Sequence, residues 1–478
     1  MSTQKDHLYL HLGVFAAIIL LFFLLPPINV ITPEGMRLTG LFIAFVYGLT
    51  VTSDAWPALV TLALFPFTGI TNLSNVLSLS FGNDVCIFVM LSLVLVAYME
   101  YTGAAAYAAN WLLKRRILKG HPWRLLFMLL FICWLLSSFV NAIAGMMLIW
   151  TFLYEIFAQF GYKPFDKFPS VVMLGTCAVG GLGLSTLPWG NNSIVILSAF
   201  TNTTGLEVNY LLYIGYAVPY ALMVIAGFLL IMRFIFGIKI DDLKNFDPST
   251  LNAESQKLTP EKIAALLAMA ALVLVILIPS CFPADSAINL FSKKFGLSGK
   301  LLLIFAVLQI IRINGKPACP FVQIAKQGIN WKLMLMVADI LVFSSLIGTD
   351  AVGINLFLAD ALGPVFLGKP ALLFIVLAAI VTVICTNFMV NKIIAVLMIS
   401  ITMPIAATLG IDQIQLACMY TIICTIAFML PPASQSATVL FSNTEWVRAA
   451  DVYKYGLPVI IMMTALQIIW NLAYFSFF

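Results

Sequence analysis

One charged residue stands where charge is most costly. Lys392 lies near the middle of a run, residues 370–411, that contains no other Asp, Glu, Lys or Arg. A lone ammonium in hydrocarbon costs at least about 2.5–3.5 kcal/mol on insertion scales, so such a residue faces a cavity and a partner. Three partners suit it. One is the carboxylate of a bound anion. A second is a site otherwise filled by a cation, whose charge the ammonium would supply. The third is a protein carboxylate, for which Asp339, also within an apolar span, is the candidate. Beside Lys392 stands Asn391, and the sequence around it, Met389-Val390-Asn391-Lys392-Ile393, parallels Phe139-Val140-Asn141-Ala142-Ile143. An amide carries both donors and an acceptor. Asn141 and Asn391 can therefore hold a carboxylate oxygen, present a carbonyl to a cation, or simply bridge helices. Ala142 opposite Lys392 leaves one tip a methyl and the other a charge, which suits an anion with one strong carboxylate pole.

Two polar runs interrupt apolar sequence elsewhere. The first is Gly180-Gly181-Leu182-Gly183-Leu184-Ser185-Thr186-Leu187-Pro188-Trp189-Gly190-Asn191-Asn192-Ser193, and the second is Phe428-Met429-Leu430-Pro431-Pro432-Ala433-Ser434-Gln435-Ser436. Ser185, Asn191, Asn192, Ser193, Ser434, Gln435 and Ser436 can line a wet cavity or cap broken helix ends. Asp339 and Glu155 are candidate proton carriers; Glu155, near the base of an apolar hairpin, also suits a snorkelling role. Catalysis is poorly served. The histidines His7, His11 and His121 are terminal or in a loop, and neither a HExxH nor a GxSxG pattern occurs. No phosphate-binding loop is present, which excludes a primary pump within this chain. The cysteines are scattered without a CxxC, as buried small hydrophobes are. No cofactor is expected.

Membrane helices must position these residues. The chain is 62% hydrophobic and 9% charged, whereas soluble domains are about a quarter charged. Residues 168–206, 208–232, 263–284 and 455–478 carry no Asp, Glu, Lys or Arg. Each can cross a hydrocarbon core of about 30 Å at about 1.5 Å per helical residue. Backbone in lipid must satisfy its own hydrogen bonds, so these runs are helices. The apolar run Leu12 to Ile31 contains Pro26-Pro27 and no small-residue cleavage site, so it reads as a retained first helix. The net charge of +5 sits in loops and does not suggest nucleic acid.

Loop charge sets the expected topology. The stretches 114–124, 161–168, 233–262, 312–332 and 445–454 hold most of the Lys and Arg, with Lys114, Arg115, Arg116, Lys119 and Arg124 the densest cluster. With these in the cytoplasm, only Arg37, Lys293, Lys294, Lys300 and Lys369 face outward. The expectation is a multi-pass cell-membrane protein with a cytoplasmic N-terminus and an outside C-terminus. Segment 125–160 is then flanked on both sides by cytoplasmic loops, and two crossings need about 40 residues plus a turn. With Ser137, Ser138 and Asn141 at its centre, it reads as a re-entrant hairpin. Segment 370–411, centred on Thr386, Asn387, Asn391 and Lys392, reads as a second hairpin entering from the other side. The expected organisation is an N-terminal helix (1–34), a first repeat (35–240, hairpin 125–160, broken helix 168–206), a cytoplasmic linker (241–260), and a second repeat (261–478, hairpin 370–411, broken helix 413–444). The fold is therefore all-α and polytopic, with two inverted repeats of about eleven transmembrane helices plus two re-entrant hairpins, and such pairing points to a transporter site at the midplane. A cation/proton antiporter or channel on the same fold is the alternative, although an antiporter should place paired acids, not a lysine, at the tips.

These paired hairpin and broken-helix units resemble the divalent anion/sodium symporter family, the solute carrier 13 group, within the larger ion transporter superfamily. The resemblance covers nearly the whole chain. It includes Trp56-Pro57 to Gly69, Met99-Glu100-Tyr101-Thr102-Gly103 and Phe428-Met429-Leu430-Pro431. It implies a homodimer whose protomers each have a scaffold and an elevator-type transport domain, carrying dicarboxylates, tricarboxylates or sulfate by sodium symport or exchange. The family's Ser-Asn-Thr at each tip is Val140-Asn141-Ala142 and Val390-Asn391-Lys392 here. Its Thr-Pro-Pro-Asn falls on Pro188-Trp189-Gly190-Asn191 and on Ser434-Gln435-Ser436-Ala437. Carried onto this chain, the likeness implies substrate contacts at Asn141, Ala142, Asn191, Asn391, Lys392, Ser434 and Gln435. It implies Na⁺ sites at Asn141, Thr386, Asn391 and Ala433. The expected function is secondary transport of a small organic anion, a di- or monocarboxylate, with Na⁺ as coupling ion or by exchange.

Overall fold

Prolines and small polar caps set the first helix boundaries. In the computed structural model, helix α1 (Ser2–Leu24) ends ahead of Pro26-Pro27, where a proline ring disfavours the helical conformation of the residue before it. The first helix therefore stops short of Ile31. Helix α2 (Pro33–Val51) starts on a proline behind Thr32, whose hydroxyl accepts from Gly35 N at 3.1 Å. After α3 (Trp56–Leu64) and α4 (Leu73–Leu79), helix α5 (Asp84–Thr102) starts behind Asn83 and stops at Gly103. Gly103 has φ 70°, the left-handed conformation that glycine adopts without a side-chain clash. Helix α6 (Ala104–Leu113) follows.

The structure describes residues 2–52, 54–113, 120–245, 257–283, 285–347, 349–354, 356–357, 360 and 370–477. The basic residues Lys114, Arg115, Arg116, Lys119 and Lys369, together with most of the connector 241–260, lie outside the described residues.

The first hairpin is α7 (Pro122–Phe139) and α8 (Ala142–Gln159), which fold back on each other across Val140 and Asn141. At 18 residues each, the arms are about 27 Å long, slightly less than a full hydrocarbon core of about 30 Å. Small residues let the arms close. A Cβ on Gly145 would lie 2.8 Å from Ser137 Oγ and 3.0 Å from the Cys133 carbonyl. Helix α9 (Lys167–Gly183) seats itself against the hairpin in the same way: a Cβ on Gly183 would lie 2.5 Å from Ser137 Cβ and 2.8 Å from the Trp134 carbonyl. Without a strong hydrophobic force between helices in lipid, such close backbone approach is the main source of association. Two indole donors lock the seat: Trp134 Nε1 donates to Thr186 Oγ1 at 2.9 Å, and Trp150 Nε1 to Thr176 Oγ1 at 2.8 Å.

Helix α9 breaks at Gly183, and the chain resumes as α10 (Ser193–Thr204) and then α11 (Tyr210–Leu230). Past the connector come α12 (Pro260–Ser280) and α13 (Ala287–Ile310). A two-residue β-hairpin, β1 (Arg312–Ile313) with β2 (Lys316–Pro317), and the short α14 (Phe321–Gly328) lead into α15 (Trp331–Ile347), bent 75° from α14. The second hairpin is α16 (Ala371–Thr386) and α17 (Asn391–Thr408). The second broken helix is α18 (Gln413–Ile423) and α19 (Gln435–Ser442), and α20 (Ala449–Phe475) closes the chain. The succession of long helix, hairpin, broken helix and long helix thus occurs twice. The two sets interlock: α10 packs on α15, α17 and α18. Helices α11 and α20 share a buried polar knot in which Tyr216 OH accepts from Asn471 Nδ2 at 3.0 Å and Trp470 Nε1 donates to the Tyr216 carbonyl at 2.8 Å.

Among the described residues, eight helices are long and apolar enough to cross a membrane, or nine with the bent pair. This is fewer than about eleven spans plus hairpins expected from hydropathy. Six further apolar helices among the described residues have only 10–17 residues each: Tyr9–Leu24 within α1, Trp56–Thr68 at α3, and α9, α10, α16 and α18 in the interrupted elements.

The glycine seat gives a direct test. Gly183→Val should lower stability by about 1–3 kcal/mol through overpacking, read as a lower melting temperature of the detergent-solubilised protein. Gly13→Ala, at a helical glycine with nothing within 4 Å, should leave the melt unchanged or raise it slightly. Equal melts for both variants would show that the α7–α9 interface yields freely.

Candidate functional site

The breaks in the two broken helices and the tip of the second hairpin meet at one cavity of about 310 Å³. One wall carries Asn191 and Asn192 from the first break, Asn391 and Lys392 from the second hairpin, and Ser434 and Gln435 from the second break. The rest of the lining includes the end of α2 (Leu49 to Thr52) and residues at the start of α15 (Asn330 to Met336).

Lys392 is 4% exposed, and its ammonium donates to Asn191 Oδ1 at 2.7 Å. That bond ties the second hairpin to the first broken helix. The partner is a neutral amide, so the positive charge is held in place without being cancelled. Lys392 also lies in the first turn of α17, where the helix dipole contributes further positive potential. Two more helix starts line the same cavity: Asn192 precedes α10 and Ser434 precedes α19. A cavity lined by an ammonium and three helix N-termini is electrostatically suited to an anion.

The backbone at the second break is satisfied by side chains. Asn387 Nδ2 donates to the carbonyls of Val383 and Ile426, each at 2.8 Å. Its Oδ1 accepts from Phe428 N at 3.2 Å and Met429 N at 3.0 Å. Thr386 Oγ1 donates to the Cys424 carbonyl at 2.7 Å and lies 3.4 Å from Asn391 Oδ1. Ser434 Oγ donates to the Ala427 carbonyl at 2.7 Å and accepts from Ala437 N at 3.1 Å. An unwound stretch inside an apolar body needs such partners.

Of the residues singled out in the sequence, the structure gathers Asn191, Asn391, Lys392, Ala433, Ser434 and Gln435 around the cavity. Asn141 and Ala142 do not line it. The Asn141 side chain caps α8, accepting from Ile143 N at 2.9 Å, and Ala142 is fully buried. Thr386 lies behind the cavity wall, where its oxygen, Asn391 Oδ1 and the Cys424 carbonyl come together. The ion pair between Lys392 and Asp339, one of the three pairings open to the lysine, is not formed. Asp339 is fully buried on α15, and both its carboxylate oxygens lack a hydrogen-bond partner among the described residues. Glu155 is exposed on α8. Sequence reading missed Thr50, Asn330, Lys332 and Thr438, which also line the cavity. Lys332 follows Trp331 at the head of an apolar run, so it reads as a positive-inside signal with nothing to mark it as a cavity residue.

The model of a citrate transporter family matches residues 40–291, more than half of the chain. The chain belongs to the citrate transporter family. It is accordingly a multi-pass membrane transport protein; the family shown is that of the citrate transporters, not the divalent anion/sodium symporters that its motifs resemble. No curated protein matches the sequence. The fold is similar to that of the Alcanivorax borkumensis YdaH transporter, with TM-score 0.56 and 14% identity over 93% of this chain and 98% of that one. It is also similar to Neisseria gonorrhoeae MtrF, of a class of antimetabolite efflux pumps, with TM-score 0.52 and 12% identity over 96% and 97% of the two chains. In this member of the citrate transporter family the second break is the more heavily stapled feature, and that has a measurable consequence. Asn387→Ala leaves backbone groups of residues 426–429 without partners and should cost about 3 kcal/mol or more. Asn141→Ala, which loses one cap bond, should cost about 1 kcal/mol. Thermal melts of the two purified variants compare them directly, and equal losses would contradict the stapling role of Asn387.

Proposed function

We propose that this chain is a secondary active transporter of a small organic anion, with the anion's carboxylate seated at Lys392. The supporting observation is a buried ammonium at a helix N-terminus whose hydrogen bond goes to a neutral amide in a cavity lined by two further helix starts. A buried charge left uncancelled by the protein is an attraction for a counter-ion of opposite sign. The description of the family makes citrate the first anion to try, with dicarboxylates and monocarboxylates beside it.

In this reading the two hairpins and broken helices form a body that moves as an elevator against a wall that includes α2 and α15, within a homodimer. The inverted arrangement of the halves, the cytoplasmic N-terminus and the outward C-terminus belong to the same proposal and rest on loop charge. Coupling has two candidate sites. The oxygens of Thr386, Asn391 and Cys424 lie together and are the donor type that suits Na⁺. A proton-coupled cycle is favoured by one observation, the unpartnered buried carboxyl of Asp339.

Proteoliposome uptake tests the proposal. Labelled citrate, succinate and acetate are offered under a Na⁺ gradient, under a pH gradient, and with unlabelled anion inside. Wild type should carry at least one of them. Lys392→Met should reduce that uptake by about 30-fold or more, the loss that follows removal of one buried member of a charge pair. Uptake that becomes sodium-dependent in Lys392→Thr would assign the ammonium to the place of a bound cation. Absence of uptake of every anion under all three conditions would refute the transport of organic anions.

A further inference from the structure

A second part of the cavity lining repeats the electrostatic arrangement at Lys392. Helix α15 begins at Trp331, and Asn330 Oδ1 accepts from Leu333 N at 3.1 Å, satisfying one of the free amides of its first turn. Lys332 is half-buried in that same turn, and both Asn330 and Lys332 line the cavity. The cavity therefore has two cationic poles in its lining, each a lysine in the first turn of a helix. Asp54, just beyond the end of α2, is the acidic group whose charge acts on Lys332. It is exposed, and an exposed carboxylate holds a lysine only weakly, by about 0–1 kcal/mol.

A single carboxylate meets one pole. An anion with two or more carboxylates can satisfy both poles at once. Its second carboxylate then makes a charge-assisted bond to Lys332 inside a partly enclosed space, and such bonds are roughly twice as strong as neutral ones.

On the reading that Lys392 seats the first carboxylate, we infer that Lys332 binds the second carboxylate of the transported anion and is the residue that selects di- and tricarboxylates over monocarboxylates. The two poles come from different parts of the chain, so an anion that touches both also bridges the proposed moving body and its wall. Lys332 then reports whether the anion has the right number of carboxylates, whereas Lys392 reports only that it is an anion.

The test is a selectivity ladder in proteoliposomes, with acetate, succinate and citrate as the anions and wild type, Lys332→Gln and Lys332→Arg as the proteins. Loss of one charge-assisted contact should raise KM for succinate and citrate about tenfold or more in Lys332→Gln. KM for acetate, or its competition against labelled succinate, should stay within about twofold, because acetate binding does not use this contact. Lys332→Arg should restore most of the affinity for the larger anions. A second readout needs no transport: citrate should raise the melting temperature of purified wild type and Lys332→Arg, and much less that of Lys332→Gln, while apo melts stay alike. An equal rise in KM for all three anions, or no change for any, would overturn the assignment and leave the anion-transport reading standing. A wild type that prefers acetate would also overturn it. A wild type that neither carries nor is stabilised by any anion would overturn both.

Discussion

A helix broken at membrane depth must find partners for every backbone group the break releases, and the polar residues of this protein are arranged around that requirement. At the second break the work falls to Asn387, Thr386 and Ser434, which together engage the backbone from Cys424 to Met429. At the first break the loop closes on itself through Asn192 N and the Leu184 carbonyl at 3.2 Å, and Tyr213 OH donates to the Ser185 carbonyl. Once these groups are satisfied locally, the cavity side chains are left over for a ligand. Asn191 and Lys392 then do two things at once: they join the halves of the molecule, and they keep a positive charge where an anion can reach it.

The neutrality of Asn191 matters more than its hydrogen bond. A carboxylate in its place would fix Lys392 equally well, but it would cancel the charge and leave the cavity with little pull on an anion. Asp339 shows the same economy from the other side. It is buried on α15 without a hydrogen-bond partner among the described residues, although α15 packs against α17, the helix that carries the lysine. Lys392, by contrast, sits at the cavity with Asn191 Oδ1 as its acceptor. The fold thus keeps its buried acid and its buried base from neutralising each other.

Much of this was legible in the sequence because the bilayer penalises polarity so heavily. A lysine in the middle of a run without other charges has few explanations, and two similar tips followed by two polar breaks cannot arise from a uniform helical bundle. Lys392, Asn391, Asn191 and Ser434, singled out on those grounds, line the cavity. Asn141 and Ala142, singled out by symmetry, do not. Equivalent tips do not occupy equivalent places, because the first tip caps its own helix and the cavity forms around the second. Asn387 was visible as a polar residue, but three of its four hydrogen bonds depend on residues about 40 positions away, which no local pattern encodes. Lys332 was hidden for a different reason. At the end of an apolar run a lysine has an ordinary topological explanation, and only the packing of α2 against α15 turns that position into a cavity wall.

The charge of the empty site constrains how a transport cycle can run. A body that moves across the bilayer with Lys392 protonated and no anion would carry an uncompensated charge through low dielectric, and such a charge is costly at the bilayer centre. With an anion bound, the charge is matched and the same movement becomes easier. A carrier of this kind favours exchange, in which each crossing is made loaded. Net transport then requires a second compensating event on the empty return. In the proposed cycle Lys392 provides it by releasing its proton, whereas Asp339 lies on α15, in the proposed wall, and does not travel with the lysine. On that reading, electrical balance at a single buried lysine links the choice between exchange and coupled transport to proton movement.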